Sequence, residues 1–325
     1  MKTLRTLLFY KFARIPNAEQ FAADHLDYCH QLGIVGRILV ADEGINGTIS
    51  GTIEQCDAYI QHLRQQPLFE GIEFKIDEED LHSFHKIHVR YRPEIVHFGV
   101  PNIDPNTSTG IYLEPDEVLA MLDEPDVVFL DTRNKVEYEV GKFKNAITLD
   151  IDTFREFPEK VDELREQYKD KRIVTYCTGG IRCEKATAYM VQSGFEADKI
   201  FQIHGGIIRY AKETGGKDFE GVCYVFDQRI TVPVNEVNPS VISTCRICGK
   251  SEVRMVNCAN PECNEHFVLC ESCGWKMQGA CSEACQQVPR LRPYDGTGYY
   301  CRTGKQLFSK AKNAHRPAFS STPQQ

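Results

Sequence analysis

The chain has 325 residues, a formal net charge of −8 and fourteen cysteines. Its length predicts two or three domains, and its negative charge excludes a uniformly basic nucleic-acid-binding protein. No apolar run approaches the ~18 residues of a membrane span, and the N-terminal residues lack the apolar stretch of a secretory signal. We therefore expect a cytoplasmic protein without membrane contact, in which cysteines serve metal binding or catalysis rather than disulfides.

The first 99 residues alternate between strand and helix patterns. Apolar spacing predicts a strand at 6–13, a helix from Asn17 that ends at Gly33, strands at 35–40 and 46–49 joined by a hairpin-like connection, a second helix that starts at Thr52, and a strand at 72–77. This β-α-β-β-α-β order matches the ferredoxin-like fold, also described as acylphosphatase-like. The fold by itself does not indicate a function.

A basic and aromatic segment follows at 81–93. Its candidates for RNA contact are His85, Lys86, Arg90 and Arg92, interleaved with aromatic rings. Cations bind phosphates and aromatic rings stack on bases, so the segment suits RNA. An exposed edge strand whose charges face water explains the same pattern. Both interpretations stay open at the level of sequence.

Residues 100–111 have the composition of a linker, and residues 112–215 then alternate helix and strand. We predict helices at 114–122 and 153–168, strands at 126–130, 146–149, 173–176 and 199–203, and a further helix after His204. Such alternation is typical of a parallel sheet covered by helices on both faces. The site in such α/β folds lies at the carboxyl ends of the strands.

The strand at 173–176 delivers Cys177 to a loop that leads into a helix. The predicted active-site loop consists of Thr178, Gly179, Gly180, Ile181, Arg182 and Cys183. Backbone N–H groups and a helix N-terminus favour an anion there, and Arg182 adds a fixed positive charge. Such surroundings lower the pKa of a thiol from its usual value of about 8.5. Cys177 is therefore the predicted nucleophile, with a buried core cysteine as the alternative.

Eight cysteines form four close pairs within 240–290. The pairs are Cys245 and Cys248, Cys258 and Cys263, Cys270 and Cys273, and Cys281 and Cys285. Eight thiolates suffice for two tetrahedral zinc sites, which we expect to be structural because all-cysteine sites leave no open position. Alternate pairs or consecutive pairs could share a metal, and reduced thiols or an iron–sulfur cluster are further alternatives. Residues 291–325 form a basic, aromatic tail that suits RNA contact or disorder.

Residues 112–215 resemble the rhodanese domain. The resemblance rests on Asp131-x-Arg133-x-x-x-Glu137-Tyr138, Gly141, Ala146, the cysteine loop and Gly205-Gly206. It implies that Cys177 corresponds to the residue that carries a persulfide in sulfurtransferase members. Arg182 lies one position before the arginine of the related phosphatases, which makes phosphatase activity unexpected. We expect Asp131 and Arg133 to form an ion pair or hydrogen-bond network that supports the loop.

The whole chain resembles the bacterial tRNA uridine hydroxylases of the rhodanese superfamily. The order of the three domains carries this resemblance, together with Ala41-Asp-Glu-Gly-Ile-Asn-Gly-Thr-Ile in the first and Tyr-Cys177-Thr-Gly-Gly-Ile-Arg-Cys183-Glu-Lys in the second. It implies oxygenation of the wobble uridine of tRNA at C5, giving 5-hydroxyuridine, with Cys177 as the essential thiol. The anticodon region of tRNA is then the partner, and molecular oxygen or another oxidant is the co-substrate. The sequence indicates no oligomeric state.

The chemistry can be written in two ways. In the first, the Cys177 thiolate adds to the electrophilic C6 of uracil, and C5 becomes a nucleophile that captures an oxidised species. In the second, Cys177 forms a persulfide or sulfenate that Cys183 resolves, although Cys183 equally suits a packing role. Two other functions are compatible with the residues: a thiosulfate or persulfide sulfurtransferase, and a non-catalytic, zinc-dependent RNA-binding protein.

Overall fold

The computed structural model describes residues 2–298. Most of the predicted basic tail, from residue 299 onward, lies outside the described residues. The chain divides into two compact units: one contains the residues up to 134 together with 146–214, and the other contains 135–145 together with the residues after 214. The first unit thus includes the N-terminal domain and most of the predicted rhodanese domain. No helix within the described range is long and apolar enough to cross a membrane.

The N-terminal domain is a sheet with two helices on one face. Its elements are β1 (Leu4–Phe12), α1 (Ala18–Leu32), β2 (Val35–Ala41), β3 (Gly44–Thr52), α2 (Ile53–Arg64), β4 (Glu73–Glu79) and β5 (Ile87–Tyr91), with a 3-10 turn at Pro67–Phe69. The strand order is β4-β1-β3-β2-β5, and β5 pairs parallel with β2 whereas the other neighbours are antiparallel. The predicted ferredoxin-like order is confirmed. The parallel strand β5 is an addition that the predicted order lacked.

Local sequence signals explain where the helices begin and end. α1 stops at Gly33, which adopts a φ of 75° and donates its N–H to the Cys29 carbonyl at 3.1 Å. α2 follows Thr52, whose hydroxyl accepts from the Gln55 N–H while the Gln55 side chain accepts from the Thr52 N–H. Asn17 precedes α1 as predicted, but its side chain makes no capping hydrogen bond because its backbone is left-handed.

The two faces of this sheet differ in what they pack against. Phe9 lies opposite Phe74 across β1 and β4, and both rings join the core under the helices. Neighbouring residues along a strand point to opposite faces. Leu8, Tyr10 and Lys75 therefore lie on the other side of the sheet. We call this side the open face, because the two helices cover the opposite one.

The second domain contains a parallel sheet, as predicted. In chain order, the elements from 111 to 214 are β6 (Ile111–Leu113), α3 (Pro115–Met121), β7 (Val127–Asp131), α4 (Lys135–Tyr138), β8 (Gly141–Phe143), β9 (Ile147–Thr148), α5 (Phe157–Tyr168), β10 (Arg172–Tyr176), α6 (Ile181–Gln192), β11 (Ile200–Ile203) and α7 (Gly206–Thr214), with 3-10 turns at Phe154–Glu156 and Ala197–Lys199. The strand order is β6-β11-β10-β7-β9, and every pair is parallel. β10, which delivers Cys177, is therefore the central strand.

α4 and β8 belong to the other unit, although they lie inside the predicted rhodanese boundaries of 112–215. β8 pairs antiparallel with β12 (Phe219–Gly221), so that Gly141 lies opposite Gly221. Val140 and Val222 are buried in one apolar cluster with Met255. The further elements of this unit are β13 (Cys223–Tyr224), β14 (Thr231–Val232), β15 (Met255–Asn257), β16 (His266–Val268), α8 (Glu271–Lys276) and α9 (Glu283–Gln286).

Candidate active site and cysteine clusters

Cys177 directly follows β10, and its side chain is almost wholly buried. The chain then turns through residues 178–180 into α6. Gly180 has left-handed backbone, with a φ of 103°, and its N–H donates to Cys177 Sγ at 3.1 Å. Arg182 and Cys183 lie in the first turn of α6 and are buried. The predicted loop residues thus curl around the sulfur.

The surroundings of Cys177 favour its thiolate. Burial alone raises the pKa of this thiol, since an anion loses hydration there. A hydrogen bond from Cys183, the positive charge of Arg182 and the N–H groups of Arg182 and Gly180 act in the opposite direction and are stronger, so the pKa is lowered. Burial and the hydrogen bond and charge of Cys177 raise the pKa of Cys183 instead. Cys183 therefore stays a protonated thiol and donates a hydrogen bond to Cys177 Sγ.

The first turn of α7 holds the loop from another side. The Ile207 N–H donates to the Cys177 carbonyl at 3.0 Å, and the Ile208 N–H donates to the Thr178 carbonyl at 3.2 Å. Gly206 has a φ of 68°, and a Cβ there would lie 2.5 Å from the Cys177 carbonyl oxygen. Only glycine allows both this backbone conformation and this approach.

Asp131 ends β7 beside the central strand, and its carboxylate forms a bidentate ion pair with Arg133. Arg133 Nε lies 2.9 Å from Oδ1 and Nη2 lies 2.6 Å from Oδ2, and both side chains are fully buried. The guanidinium also lies 5.6 Å from the centre of the Tyr176 ring. Since Tyr176 immediately precedes Cys177, the pair braces the strand end that carries the sulfur. This geometry fits the supporting role expected for the two residues.

The open face of the N-terminal sheet covers the cysteine loop. A Cβ on Gly179 would lie 2.8 Å from Leu8 Cδ2, and a Cβ on Gly180 would lie 2.9 Å from Tyr10 Oη. The Tyr10 hydroxyl donates to Glu184 Oε1 at 2.9 Å. The loop glycines are therefore needed for the close approach of β1 as well as for the turn around the sulfur.

An ion-pair cluster fixes the same junction. Lys185 in α6 is only 2% exposed, and its ammonium lies 2.8 Å from Glu43 Oε2 and 2.7 Å from Glu94 Oε1. Glu43 lies in the turn between β2 and β3, and Glu94 follows β5. A buried ammonium needs such partners because an unpaired buried charge is costly. Two carboxylates of the N-terminal domain thus hold the helix that begins at the cysteine loop.

Sequence reasoning did not identify the residues of this junction, which are Tyr10, Glu43, Glu94, Glu184 and Lys185. Glu43, Glu184 and Lys185 stood within the motifs that carried the family resemblance, but nothing in the sequence indicated that the two motifs meet. The usable signal was the open face itself. A sheet face that carries large apolar and aromatic side chains needs a covering partner.

The residues predicted to bind RNA lie on or beside β5. His85 and Lys86 precede this strand, Arg90 lies within it and Arg92 follows it, and all four are exposed. β5 is an edge strand, and β2 and β3 separate it from β1. The structure therefore does not bring these four residues to the sulfur. The segment instead forms an exposed edge strand, which was the other interpretation of its sequence. An edge strand remains compatible with RNA contact.

Strand register nevertheless places part of this charge on the open face. Tyr10 lies opposite Asn46, Asn46 opposite Leu39, and Leu39 opposite Arg90. Because paired residues point to the same side of a sheet, Arg90 shares the face of Tyr10. The exposed Arg37 lies two residues before Leu39 on β2 and belongs to the same face. A positive edge and the covered cysteine loop thus occupy one face of the sheet.

The eight paired cysteines form two clusters within the second unit. In each cluster the four Sγ atoms lie within 4.8 Å of one another, and the sets are Cys245, Cys248, Cys270 and Cys273, and Cys258, Cys263, Cys281 and Cys285. The sequence left open whether alternate or consecutive cysteine pairs share a cluster. In the structure, alternate pairs share one. Cys248 and Cys270 Sγ are 3.7 Å apart, and Cys263 and Cys281 Sγ are 3.8 Å apart. A tetrahedral ion with metal–sulfur bonds of about 2.3 Å requires sulfur separations of about 3.8 Å, so both sets fit a metal.

Polar groups around the second cluster also suit thiolate ligands. The Cys281 N–H lies 3.4 Å from Cys258 Sγ, and Asn260 Nδ2 lies 3.3 Å from Cys285 Sγ. Donors of this kind stabilise the negative charge that remains on metal-bound sulfur. The cluster therefore has the outer hydrogen bonds expected of a metal-binding site.

These features define the class of protein: a rhodanese-fold protein with a cysteine loop, an N-terminal ferredoxin-like domain that covers the loop, and two four-cysteine clusters whose geometry suits a metal ion. Residues 4–95 match the UPF0176 acylphosphatase-like domain, 114–213 the rhodanese-like domain, and 220–286 the family described as rhodanase C-terminal.

Relatives of similar length share all of these regions. A protein of Cytophaga hutchinsonii is 52% identical over 92% of this chain and 95% of its own length. Proteins of Bacillus licheniformis and Bacillus cereus are 47% and 46% identical, over 88% and 90% of this chain and 89% and 92% of their own lengths. All three are named tRNA uridine(34) hydroxylase. The chain belongs to the tRNA uridine(34) hydroxylase family.

Proposed function

We propose that the protein hydroxylates C5 of the wobble uridine of tRNA, giving 5-hydroxyuridine, and that Cys177 is the nucleophile. The observation that carries the proposal is the set of donors around Cys177 Sγ: the Gly180 N–H donates to it at 3.1 Å, and the positive charge of Arg182 favours the thiolate form. The sulfur lies at the carboxyl end of the central parallel strand, where sites of α/β folds are found. The names of the relatives supply the substrate and the position of the modified nucleoside.

The proposed reaction starts with addition of the Cys177 thiolate to C6 of uracil. The sulfur–C6 bond forms, and the displaced π electrons place a negative charge on O4 with carbon nucleophilicity at C5. C5 then attacks the electrophilic oxygen of an oxidant, which takes up two electrons. Loss of the C5 proton and departure of the thiolate from C6 restore the aromatic ring. An oxidant that donates a single oxygen atom balances this step directly. With molecular oxygen as the co-substrate, a reductant must supply two further electrons, and the second oxygen atom leaves as water.

Cys183 has two possible roles in this scheme. Its thiol donates to the Cys177 sulfur and keeps its own proton, because its pKa is raised by burial and by the hydrogen bond and charge of Cys177. Its Sγ also lies 3.7 Å from Thr132 Oγ1 inside the domain. These contacts favour a supporting role over that of a resolving thiol. A Cys177 persulfide or sulfenate resolved by Cys183 is the alternative that trapping experiments must separate.

RNA binding is assigned to the exposed basic residues on and beside β5, which are His85, Lys86, Arg90 and Arg92. Arg90 and Arg37 lie on the open face that also covers the cysteine loop. Adjacent strands of a sheet are about 4.8 Å apart, and only β2 and β3 lie between β5 and β1. A few nucleotides of single-stranded RNA therefore span the distance from β5 to β1 on this face. The anticodon loop of tRNA is the single-stranded partner that this arrangement suits.

The two four-cysteine clusters are proposed to hold one structural zinc ion each. The sulfur separations and the all-thiolate ligand sets support zinc, which would supply folding free energy rather than take part in the reaction. We place the protein in the cytoplasm, where its substrate is found and where thiols stay reduced.

A covalent trap tests the nucleophile directly. An anticodon stem-loop with 5-fluorouridine at the wobble position cannot lose a proton from C5, so addition of Cys177 to C6 leaves a stable adduct. We expect the mass of one RNA on intact wild-type protein and none on Cys177→Ser. Cys29→Ala, a buried cysteine of α1, is the matched control and keeps the adduct.

Nucleoside analysis tests the activity in cells. We expect 5-hydroxyuridine and nucleosides derived from it to disappear from tRNA in cells without the gene, and to return with the wild-type gene but not with Cys177→Ser. A deficit of thiolated nucleosides instead would favour sulfur transfer. If cells without the gene and cells with Cys177→Ser have the same modified nucleosides as cells with the wild-type gene, a non-catalytic RNA-binding protein would be favoured.

A further inference from the structure

A polar cleft lies beside the cysteine loop, between the open face of the N-terminal sheet and the second domain. β1 and β4 contribute Tyr10, Glu73 and Lys75, and the second domain contributes Tyr112, Glu184 and His204. We call it the Lys75 cleft. Tyr10 touches both the cleft and the cysteine loop, since its hydroxyl oxygen lies close to Gly180. The cleft therefore begins where the loop ends.

The carboxylates of the cleft are already occupied by other donors. Glu184 accepts hydrogen bonds at 2.9 Å from the hydroxyls of Tyr10 and Tyr112. Glu73 Oε2 lies 3.1 Å from His204 Nε2. Both carboxylates thus have hydrogen-bond partners other than the lysine of the cleft.

Lys75 has no such partner. Within residues 2–298 its ammonium makes no hydrogen bond or ion pair, and its described contact is the face of the Tyr10 ring, at 4.9 Å from the centroid. A lysine that is mostly removed from water and lacks a carboxylate partner is costly to maintain. Its charge is thus available to an anionic or carbonyl ligand in the cleft.

Lys75 also lies within the electrostatic reach of the nucleophile. It pairs across the sheet with Leu8, which packs on Gly179 of the cysteine loop. Burial and the charge of Arg209 lower the pKa of Lys75, and the negative charges of Glu73, Cys177 and Glu184 oppose this shift without reversing it. The Cys177 thiolate and the Lys75 ammonium therefore attract each other.

We propose that the Lys75 cleft receives the uracil ring and that Lys75 binds its O4. This inference rests on the proposed function, in which Cys177 adds to C6. As the sulfur–C6 bond forms, the C5–C6 π pair moves into the C4–C5 bond and the C4–O4 π pair moves onto O4. The Lys75 ammonium stabilises that oxyanion through a charged hydrogen bond and keeps its proton. The step transfers no electrons to or from an oxidant.

The same contact selects the base. Cytosine carries an amino group at C4 in place of the carbonyl, and its N–H donors would face the donors of Lys75. A site that must leave a polar group unpaired rejects the wrong ligand strongly. Lys75 is thus a residue that determines specificity for uracil as well as one that assists addition.

The test compares two anticodon stem-loops, one with uridine and one with 2-pyrimidinone riboside at the wobble position, which lacks O4. We expect the full-length wild-type protein to bind the uridine RNA roughly 10- to 100-fold more tightly, the range for a hydrogen bond to a charged group. Lys75→Met, which keeps the length of the side chain, should lose this preference. Lys75→Gln, which keeps a neutral donor, should retain part of it.

Lys86→Met is the matched control on the β5 edge. A phosphate contact carries no base information, so this variant should weaken binding of both RNAs by the same factor. A Lys75→Met protein that weakens both RNAs equally, or that keeps the wild-type preference for O4, overturns the inference. Thermal melting of each variant establishes that it is folded. Wild-type protein that fails to hydroxylate the uridine RNA contradicts the proposed function instead, so the two failures are distinguishable.

Discussion

Thiols occur in two contrasting settings in this molecule. At Cys177 the polypeptide supplies the positive field, through the Arg182 charge and the N–H groups of the loop, and the sulfur stays free to react. In each of the two clusters four sulfur atoms lie within 4.8 Å of one another, an arrangement that suits a shared metal ion. The comparison teaches that reactivity depends on what neutralises a thiolate. A backbone cradle leaves an electron pair available, whereas a metal occupies it.

Loss of a metal should have the largest effect on folding stability, and that effect should be confined to the region of the clusters. Cys258→Ser removes one ligand, so we expect metal analysis to fall from two zinc ions per chain to one. The loss of folding free energy is on the order of 10 kcal/mol, the scale of a structural zinc site. Limited proteolysis should then cut within 215–298. Cys223→Ala, a buried cysteine outside the clusters, should keep both ions, and equal metal loss there would contradict the assignment.

Removing the buried ammonium of Lys185 should have the next largest effect on stability. This variant concerns the region of the cysteine loop, where charged groups of the protein itself take the place of a metal. Lys185→Met leaves Glu43 and Glu94 without their partner, and we expect a loss of about 3 kcal/mol in urea unfolding. Lys160→Met removes a pair on an exposed helix surface and should change little. Equal stability of the two variants would show that the junction does not depend on this cluster.

The charge of Arg182 should matter for reactivity more than for folding. Arg182→Met removes a contribution that lowers the pKa of Cys177, so the thiolate should form only at higher pH. The difference in ultraviolet absorbance between protein with and without Cys177 follows that titration. Hydroxylation should fall by about a hundredfold, as for other preorganised donors. An unchanged titration would mean that the N–H groups and the Cys183 thiol stabilise the thiolate without the Arg182 charge.

The smallest effect concerns His204, which links Glu73 of β4 to Glu114 before α3. Hydrogen bonds to Glu73 and Glu114 and the charge of Glu73 raise the pKa of His204 above 6.5, although burial and the charge of Arg209 oppose this. A raised folded-state pKa means that the stabilisation is fully present below pH 6.5 and is lost as pH rises through the folded-state value. We expect less than about 1 kcal/mol, because the partners are half exposed. Unfolding of His204→Gln should lack this pH dependence.

Local chemistry made much of the molecule predictable. Thr52 and Gly33 mark helix ends through capping and left-handed backbone, and the apolar run before Cys177 specifies a buried central strand. The eight close cysteines predicted two four-sulfur clusters, and both are present. Each of these signals lies within a few residues of the feature that it specifies.

Features that depend on distant pairs were not predictable. The contact of Leu8 with Gly179 and the Lys185 cluster join residues of different domains, and no periodicity encodes such a contact. The choice between alternate and consecutive cysteine pairs has the same origin. The parallel pairing of β5 with β2 is also non-local, and the basic composition of 81–93 concealed its apolar inner residues Ile87 and Val89.

The pairing of β8 with β12 has a consequence for synthesis of the chain. The ribosome releases Gly141–Phe143 long before Phe219–Gly221, so the earlier strand emerges without the partner that satisfies its hydrogen bonds. The whole of β9 to α7 must be translated while that strand waits. A stop codon placed after α7 would leave it unpaired permanently. The cysteine-rich region is therefore not an appendage that evolution could add or remove by fusing genes at residue 215.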